Sequence, residues 1–106
     1  MNIFKFNENE VRSLMIDHKT WFVVKDICGI LGIKDHKDAY KTLEDYEKGK
    51  VKIDTFGGKQ TVNVVNEAGF ISLVFRSRKK IAGKVKIWLF EEVLSITRKA
   101  EDRSYI

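Results

Sequence analysis

The chain has 106 residues, which is the size of one domain. Apolar residues make up 43% and charged residues 33% of it, a balance typical of a globular protein and not of a disordered one. No apolar run approaches the ~18 residues of a membrane span, and the N-terminus lacks the basic-then-apolar order of a signal peptide. A single cysteine, Cys28, excludes an internal disulfide and a cysteine-rich zinc site, so we expect a reducing, cytoplasmic location.

The first half of the chain predicts three strands followed by two helices. Alternating or β-branched apolar residues mark the strands at 2–6, 11–16 and 21–24. The polar run 17–19 has the composition of a hairpin turn. A short helix is expected after Asp26 with Gly32 as its stop, and Asp35 can cap a second helix that ends at Gly49.

The second half predicts a β-hairpin and two further helices. The runs 51–55 and 61–65 are β-branched, and the segment 56–60 between them carries two glycines that favour a turn. Asn66 can cap a helix that runs to about residue 75, and Ser77 can cap the last, longer helix.

These elements predict a single α+β domain over residues 1–106, in which small antiparallel strands and a β-hairpin pack with about four helices. The core of the domain is expected at about 4–99, with a frayed tail at 100–106. The side chains predicted to form its interior are Trp21, Phe22, Ile27, Leu31, Phe70, Leu73, Val85, Trp88 and Leu89.

The last predicted helix, over about 79–99, has apolar residues on two faces. At ~100° per residue, a stripe from Ile81 to Ile96 faces the core. A second stripe on nearly the opposite side consists of Ile87, Phe90 and Leu94. Such a helix is either sandwiched inside the fold or shared with a second copy or another partner. Glu92 falls in the core stripe, where it would pair with an arginine such as Arg12 or reach solvent.

Positive charge is concentrated in one short segment. The chain has 20 basic and 15 acidic residues, and residues 54–106 carry +4 of the net charge of +5. Six basic residues and no acidic one lie between positions 76 and 86: Arg76, Arg78, Lys79, Lys80, Lys84 and Lys86. Unless it is only a solvated surface, such a block attracts nucleic acid, an anionic membrane or an acidic protein.

The sequence shows no pattern of a catalytic or metal site. His18 and His36 have no carboxylate at a fixed ligand spacing, and Cys28 is typical of a small buried apolar residue. Phosphate-loop, dinucleotide-binding and Gly-x-Ser-x-Gly patterns are missing. We therefore predict no enzymatic activity, no cofactor and no metal.

Five segments, taken in order, resemble the N-terminal domain of the BRO family (Bro-N), which occurs in phage antirepressors and insect-virus BRO proteins. They are Val11-Arg12, the run from Trp21 to Gly32, the hairpin turn from Thr55 to Gln60, the run from Asn66 to Leu73, and the positions Ser77 to Lys80, Ala82, Lys84, Trp88, Glu92 to Leu94 and Ile96. Together they cover about residues 4–99.

The sequence departs from the family pattern in two ways. Ser95 stands where the family usually has proline, so the last helix is expected to continue without a kink. Family members commonly carry a further C-terminal domain, and this sequence stops at residue 106, as a stand-alone small member or a cut-out domain would.

The resemblance implies a DNA-binding module of a phage or prophage protein, or of another viral protein, that regulates transcription. In phage antirepressors it also implies interference with a repressor. A phage-encoded member would act in the host cytoplasm or at the nucleoid. The resemblance implies no enzymatic activity.

Two surfaces compete for the DNA. The helices after Asp26 and Asp35 look like a helix-turn-helix, but residues 35–47 carry a net charge of −3, which phosphates would repel. The basic block at 76–86 is the stronger candidate, helped by Lys50, Lys52 and Lys59 of the hairpin. The alternative function is a protein-interaction module that sequesters a repressor or host protein, or forms a homodimer, through Ile87, Phe90 and Leu94. No membrane partner is expected.

Overall fold

Five strands form one antiparallel sheet, in which the first three strands of the chain lie side by side and the fifth lies between the third and the fourth. The structure, a computed structural model, describes residues 1–104 and, for Ser104, the backbone alone. The strands are β1 (Asn2–Phe6), β2 (Asn9–Ile16), β3 (Lys19–Val23), β4 (Lys48–Thr55) and β5 (Gly58–Val65). In the described residues, three helices, a longer last helix that contains a π-helical turn, and one 3₁₀ turn complete the domain, so the predicted α+β class is confirmed.

The strands are joined by tight turns that the local residues favour. Asp17 and His18 both have positive φ, at 49° and 66°, which gives the two-residue turn that matches strand twist. The predicted hairpin turn at 17–19 is confirmed. Because β3 pairs with β5 only at Phe22–Val65 and Val23–Val64, the outer part of the β4–β5 hairpin extends beyond the sheet. We call residues 50–63 the β-arm.

The predicted caps Asp35 and Asn66 and the predicted stop at Gly32 are confirmed. Two predicted starts are wrong, because the first helix begins at Val24 and not after Asp26, and the last begins at Ile81 with Lys80 and not Ser77 at its N-cap position. The helices are α1 (Val24–Leu31), α2 (His36–Lys41), α3 (Glu67–Arg76), α4 (Ile81–Trp88) and α5 (Leu94–Ser104), with a π-helical turn at Leu89–Val93 that joins α4 to α5. Gly32 ends α1 in the left-handed region with φ 70°. The side chains of Asp35 and Asn66 accept backbone N–H groups of Asp38 and Gly69, each at 2.9 Å.

The predicted helix over 35–49 is correct only in its first half. α2 ends at Lys41, and a 3₁₀ turn at Asp45–Glu47 leads directly into β4. The buried carboxylate of Glu47 causes this turn, since it accepts the backbone N–H of Glu44 at 2.9 Å and the hydroxyl of Ser72 at 2.5 Å. The chain is thereby anchored to α3 before a longer helix can form.

The interior lies between the sheet and the helices, around a group of aromatic rings. Phe70 of α3 meets Phe22 of β3 edge-on at 5.0 Å between ring centroids, and Phe6 meets Trp88 at 5.3 Å. Eight of the nine predicted core residues are buried: Phe22, Ile27, Leu31, Phe70, Leu73, Val85, Trp88 and Leu89. The prediction for Trp21 is wrong, because successive residues of a strand face opposite sides and Phe22 takes the core side.

The last helix is continuous through Ser95 but does not keep one α-helical period. The π-helical turn at Leu89–Val93 inserts about one extra residue into the helix. All later residues are therefore rotated relative to an ideal helix. As a result Leu94, which was predicted to lie on the outer stripe, is only 2% exposed. Ile96, which was predicted to face the core, is 52% exposed. Glu92 is exposed, and Arg12 pairs with Asp26 instead.

The last helix also extends past its predicted end at residue 99. α5 reaches Ser104, and two contacts hold it against the domain. The Glu101 carboxylate accepts the backbone N–H of Thr20 at 3.1 Å, and the Arg98 guanidinium pairs with Glu67 at 2.7 Å. The final residues of the predicted tail, 105–106, lie outside the described residues.

We expect the thiol of Cys28 to be inert in the folded domain. The side chain is buried on α1, and desolvation raises the pKa of the thiol to about 11. A thiol reagent at pH 8 should therefore modify the native protein far more slowly than the protein in denaturant. Reaction at the same rate in both would contradict the burial.

The same pKa shift sets a pH dependence of stability. The unfolded thiol ionises near 9.0 and the folded one near 11, so the folded state binds more protons between these values. Cys28 should thus destabilise the domain as the pH rises from about 9 to 11. Comparison of urea unfolding of the wild type and Cys28→Ala across this range measures the contribution.

Candidate nucleic-acid interface

The predicted basic block lies at the end of α3, in the link to α4 and in the first part of α4. We call its six side chains the basic segment: Arg76, Arg78, Lys79, Lys80, Lys84 and Lys86. All six are exposed. Among the described residues, the salt bridges are Arg12–Asp26 and Arg98–Glu67, so no member of the basic segment is paired with a carboxylate. Six cations without a salt-bridge partner thus face solvent on one stretch of chain.

Neighbouring elements hold two members of the basic segment in place. The guanidinium of Arg76 donates a hydrogen bond to the Thr42 hydroxyl just after α2. The Lys79 side chain lies against Gly32 at the end of α1, where a side chain on the glycine would meet it at 2.9 Å. Both cations therefore sit near C-terminal helix ends, which favour positive charge.

The other four members of the basic segment make few contacts with the rest of the domain. The ammonium of Lys86 lies 5.3 Å from the centre of the Phe75 ring. Within residues 1–104, the side chains of Arg78, Lys80 and Lys84 make no hydrogen bond or ion pair. These three can contact a ligand without first breaking an interaction.

The acidic helix α2 lies beside one end of the basic segment. Arg76 lines a shallow depression together with Asp35 and Asp38, whose carboxylates offset its positive charge. The positive side chains farther from these carboxylates in the chain are Lys80, just before α4, and Lys84 within it. Sequence reasoning treated the acidic helix and the basic block as separate competitors, and the structure places them side by side.

The hairpin lysines form a second basic group. Lys50 and Lys52 share a face of β4, and this face includes Lys59 of β5, which lies opposite Asp54. Lys48 belongs to the same face, but the sequence prediction of DNA-binding residues did not include it. Its spacing of two residues from Lys50 could have indicated the shared face, because alternate residues of a strand point to the same side. Lys48 and Lys50 lie over the Tyr40 ring, at 5.2 and 6.0 Å from its centre.

Each basic group has a member in contact with the end of α2. The Tyr40 hydroxyl donates a hydrogen bond to the Gly49 carbonyl of β4 at 3.3 Å, while Thr42 contacts Arg76. Burial and then the negative charge of Asp45 raise the pKa of the Tyr40 hydroxyl. The nine predicted side chains are thus two separate groups that both contact the end of α2.

A cleft between β5 and the starts of α1 and α2 is lined by further basic residues, which belong neither to the basic segment nor to the hairpin lysines. It has a volume of about 250 Å³ and includes Lys25, His36 and Lys37 in its lining. Arg12 also lines it, but its guanidinium makes two hydrogen bonds to Asp26, at 2.8 and 2.9 Å, which raise the pKa of Arg12. The Asp26 carboxylate offsets the charge of Arg12 in this ion pair. Lys25 and Lys37 remain exposed beside the cleft.

Of the three residues predicted to bind a partner, Ile87, Phe90 and Leu94, only the first two are exposed. Ile87 and Phe90 are 58% and 46% exposed on the outer side of the last helix. Leu94 does not belong to this surface, because the π-helical turn rotates it into the core. Sequence reasoning missed the turn because it assumed a constant α-helical period.

Other kinds of site find no support in the part of the chain that the structure describes. No three His, Cys, Asp or Glu side chains come together there as metal ligands. None of the described helices combines the length and apolar character needed to cross a membrane.

Comparison with known proteins identifies the family. Residues 10–95 match the model of the BRO family, N-terminal domain (Bro-N). An uncharacterized protein of Haemophilus influenzae is 35% identical over 102 residues, which cover 91% of this chain and 49% of that protein. The chain thus spans about half the length of this curated relative, and no solved structure matches it. The matched residues run from β2 to the start of α5 and include the basic segment and the β-arm, and on this evidence the chain belongs to the BRO family through its Bro-N domain.

Proposed function

We propose that this domain binds DNA, mainly through phosphate contacts, as the DNA-binding module of a phage or viral antirepressor or of a BRO-type regulator. The observation that carries the proposal is the basic segment, whose six exposed cations have no carboxylate partner among the described residues. Membership of a family found in antirepressors and BRO proteins supports the same function. The lysines of the β-arm add a second set of phosphate contacts.

The geometry favours phosphate contacts over base recognition by the basic segment. Lys80 and Lys84 are four residues apart at the start of α4 and so lie on one side of the helix. Flexible ammonium groups of this kind bind phosphates as point charges, which gives affinity but little sequence preference. Binding should therefore be weakly sequence-specific and should depend strongly on salt.

Replacement of Lys80 and Lys84 by alanine tests the proposal. Each phosphate contact contributes ~0.9 to the slope of log K against log salt on duplex DNA. Since the six side chains cannot all face one surface, we expect a wild-type slope of roughly −2 to −4. The double variant should bind unrelated duplexes more weakly by about the same factor, with a slope flattened by about one to two units. Fluorescence anisotropy with labelled oligonucleotides at several salt concentrations measures both quantities.

The matched control removes two lysines from the acidic helix. Lys37→Ala with Lys41→Ala changes the net charge equally but acts on α2, next to Asp35 and Asp38. A larger loss of binding in this control would show that α2 is the recognition helix. A wild type without salt-dependent binding would contradict the DNA-binding proposal.

The alternative function is binding of a repressor, a host protein or a second copy through the last helix. The exposure of Ile87 and Phe90 on one surface favours it. Phe90→Glu would abolish such an interaction, which would resist salt, and would leave DNA binding nearly unchanged. Sedimentation of the wild type and this variant at high concentration tests the homodimer.

A further inference from the structure

The tip of the β-arm is a defined turn that presents one phenylalanine. Thr55 and Gly58 form the last pair of the hairpin, so Phe56 and Gly57 alone make the turn. The Thr55 hydroxyl donates a hydrogen bond to the Gly58 carbonyl at 2.7 Å, and Gly58 has φ 97°, which few other residues adopt. The backbone beneath Phe56 is therefore fixed by its own hydrogen bonds.

Phe56 has no packing partner among residues 1–103. Its exposure is 114% of the reference value, so both faces and the edge of the ring are open to solvent. The other exposed large apolar side chains among the described residues range from 42% to 71%. The ring adds nothing to the core, and its position at the end of an arm of ~20 Å, at ~3.3 Å per residue, leaves it free to enter another molecule.

The charges around the tip indicate the chemistry of that molecule. Lys50, Lys52 and Lys59 share one face of the β-arm with a single acidic residue, Asp54. Exposed Thr61 on the same face, and Gln60 beside it, offer hydrogen-bonding groups. An apolar protein pocket would not require this positive surface, whereas DNA offers negative phosphates to the lysines and flat base faces to the aromatic ring.

We infer that the β-arm lies against DNA and that Phe56 stacks on a nucleobase, either at an opened step of the duplex or on an unpaired base. This inference rests on the proposed DNA binding. A two-stranded β-ribbon fits a DNA groove, and apolar side chains at the ends of such elements insert between base steps. Stacking on an aromatic ring tolerates every base, in agreement with weak sequence specificity.

Substitution of Phe56 by alanine tests the inference. Stacking contributes about 1–3 kcal/mol per base, so Phe56→Ala should weaken binding about 5- to 150-fold. The slope of log K against log salt should not change, because no phosphate contact is lost. Phe56→Tyr, which keeps the ring, should bind like the wild type. Phe90→Ala is the matched control, an exposed phenylalanine outside the β-arm, and should change the affinity less than twofold.

Parallel titrations of a duplex and of one of its strands distinguish the two sources of the base. If Phe56→Ala lowers the affinity for the duplex, the ring stacks at an opened base step. If Phe56→Ala lowers the affinity for the single strand alone, the ring stacks on an unpaired base. Wild-type affinity of Phe56→Ala for both forms, with normal salt dependence, overturns the inference and leaves the DNA-binding proposal intact. A wild type that binds neither form overturns both.

Discussion

Gly69→Ala is expected to lower the free energy of unfolding by about 2–3 kcal/mol, the upper range for overpacking of a tight contact. A Cβ atom on Gly69 would lie 2.7 Å from the carbonyl oxygen of Glu47 and 2.7 Å from Cβ of Val65. Neither atom can move alone, because one belongs to the backbone of the 3₁₀ turn and the other to a β-branched residue of the sheet. α3 would have to shift away from β5.

Such a shift would also disturb hydrogen bonds that join these elements. The Glu47 carbonyl accepts the backbone N–H of Asn66 at 3.1 Å, and the Glu47 carboxylate holds Ser72 of α3. The buried carboxylate would lose a partner if the helix moved, which adds to the cost. Urea unfolding followed by circular dichroism measures the change.

Gly83→Ala is the matched control for this substitution. Gly83 lies within α4, and a Cβ atom there would meet nothing within 4 Å. Alanine favours a helix over glycine by about 0.5–1 kcal/mol, so this variant should be more stable than the wild type. Destabilisation by both substitutions to the same extent would contradict the close packing of α3 that we describe.

The parts of the fold that depend on neighbouring residues could be predicted from the sequence. Asp35 and Asn66 cap the helices that they were expected to cap, and Gly32 ends α1 in the left-handed region. In each case the cause is a single side chain or a single φ value. The turn at Asp17 and His18 was likewise recognisable from its composition.

The features that depend on distant contacts could not be predicted. The early end of α2 depends on Glu47, whose partner Ser72 is 25 positions away. The extension of α5 to Ser104 depends on the hydrogen bond between Glu101 and Thr20. The π-helical turn rotates Leu94 inward and Ile96 outward, and a wheel with a fixed period has no means of showing it.

The candidate DNA-binding surface was only partly predictable for a similar reason. The basic segment could be found from the sequence because its six residues are close together in the chain. The position of Arg76 beside Asp35 and Asp38 depends on how α2 and α3 pack. The exposure of Phe56 was not predicted either, since an aromatic residue in a turn can equally fold back onto its own strands.

Phe70→Ala is expected to destabilise the domain by about 3–5 kcal/mol, the usual cost of removing a buried aromatic side chain. Phe70 is fully buried on α3, and its ring contacts Phe22 of the sheet at 5.0 Å and lies 6.5 Å from Trp88 of α4. It therefore joins three elements, and the cavity left behind cannot close without moving one of them. A loss of this size is a large share of the 5–15 kcal/mol that stabilises a typical domain.

Phe75→Ala tests whether this cost comes from burial. Phe75 lies on the same helix as Phe70, but its side chain is exposed, and within the described part of the chain its ring contacts only the ammonium of Lys86. Its loss should cost less than about 1 kcal/mol, the value of an exposed cation–π contact. Equal effects in urea unfolding would mean that α3 contributes through its helical propensity, and that Phe70 is not the centre of the core. We expect Phe70→Ala to lower the free energy of unfolding several times more than Phe75→Ala. This result would show that the Phe70 ring fixes α3 to the sheet and thereby positions the basic segment that follows α3.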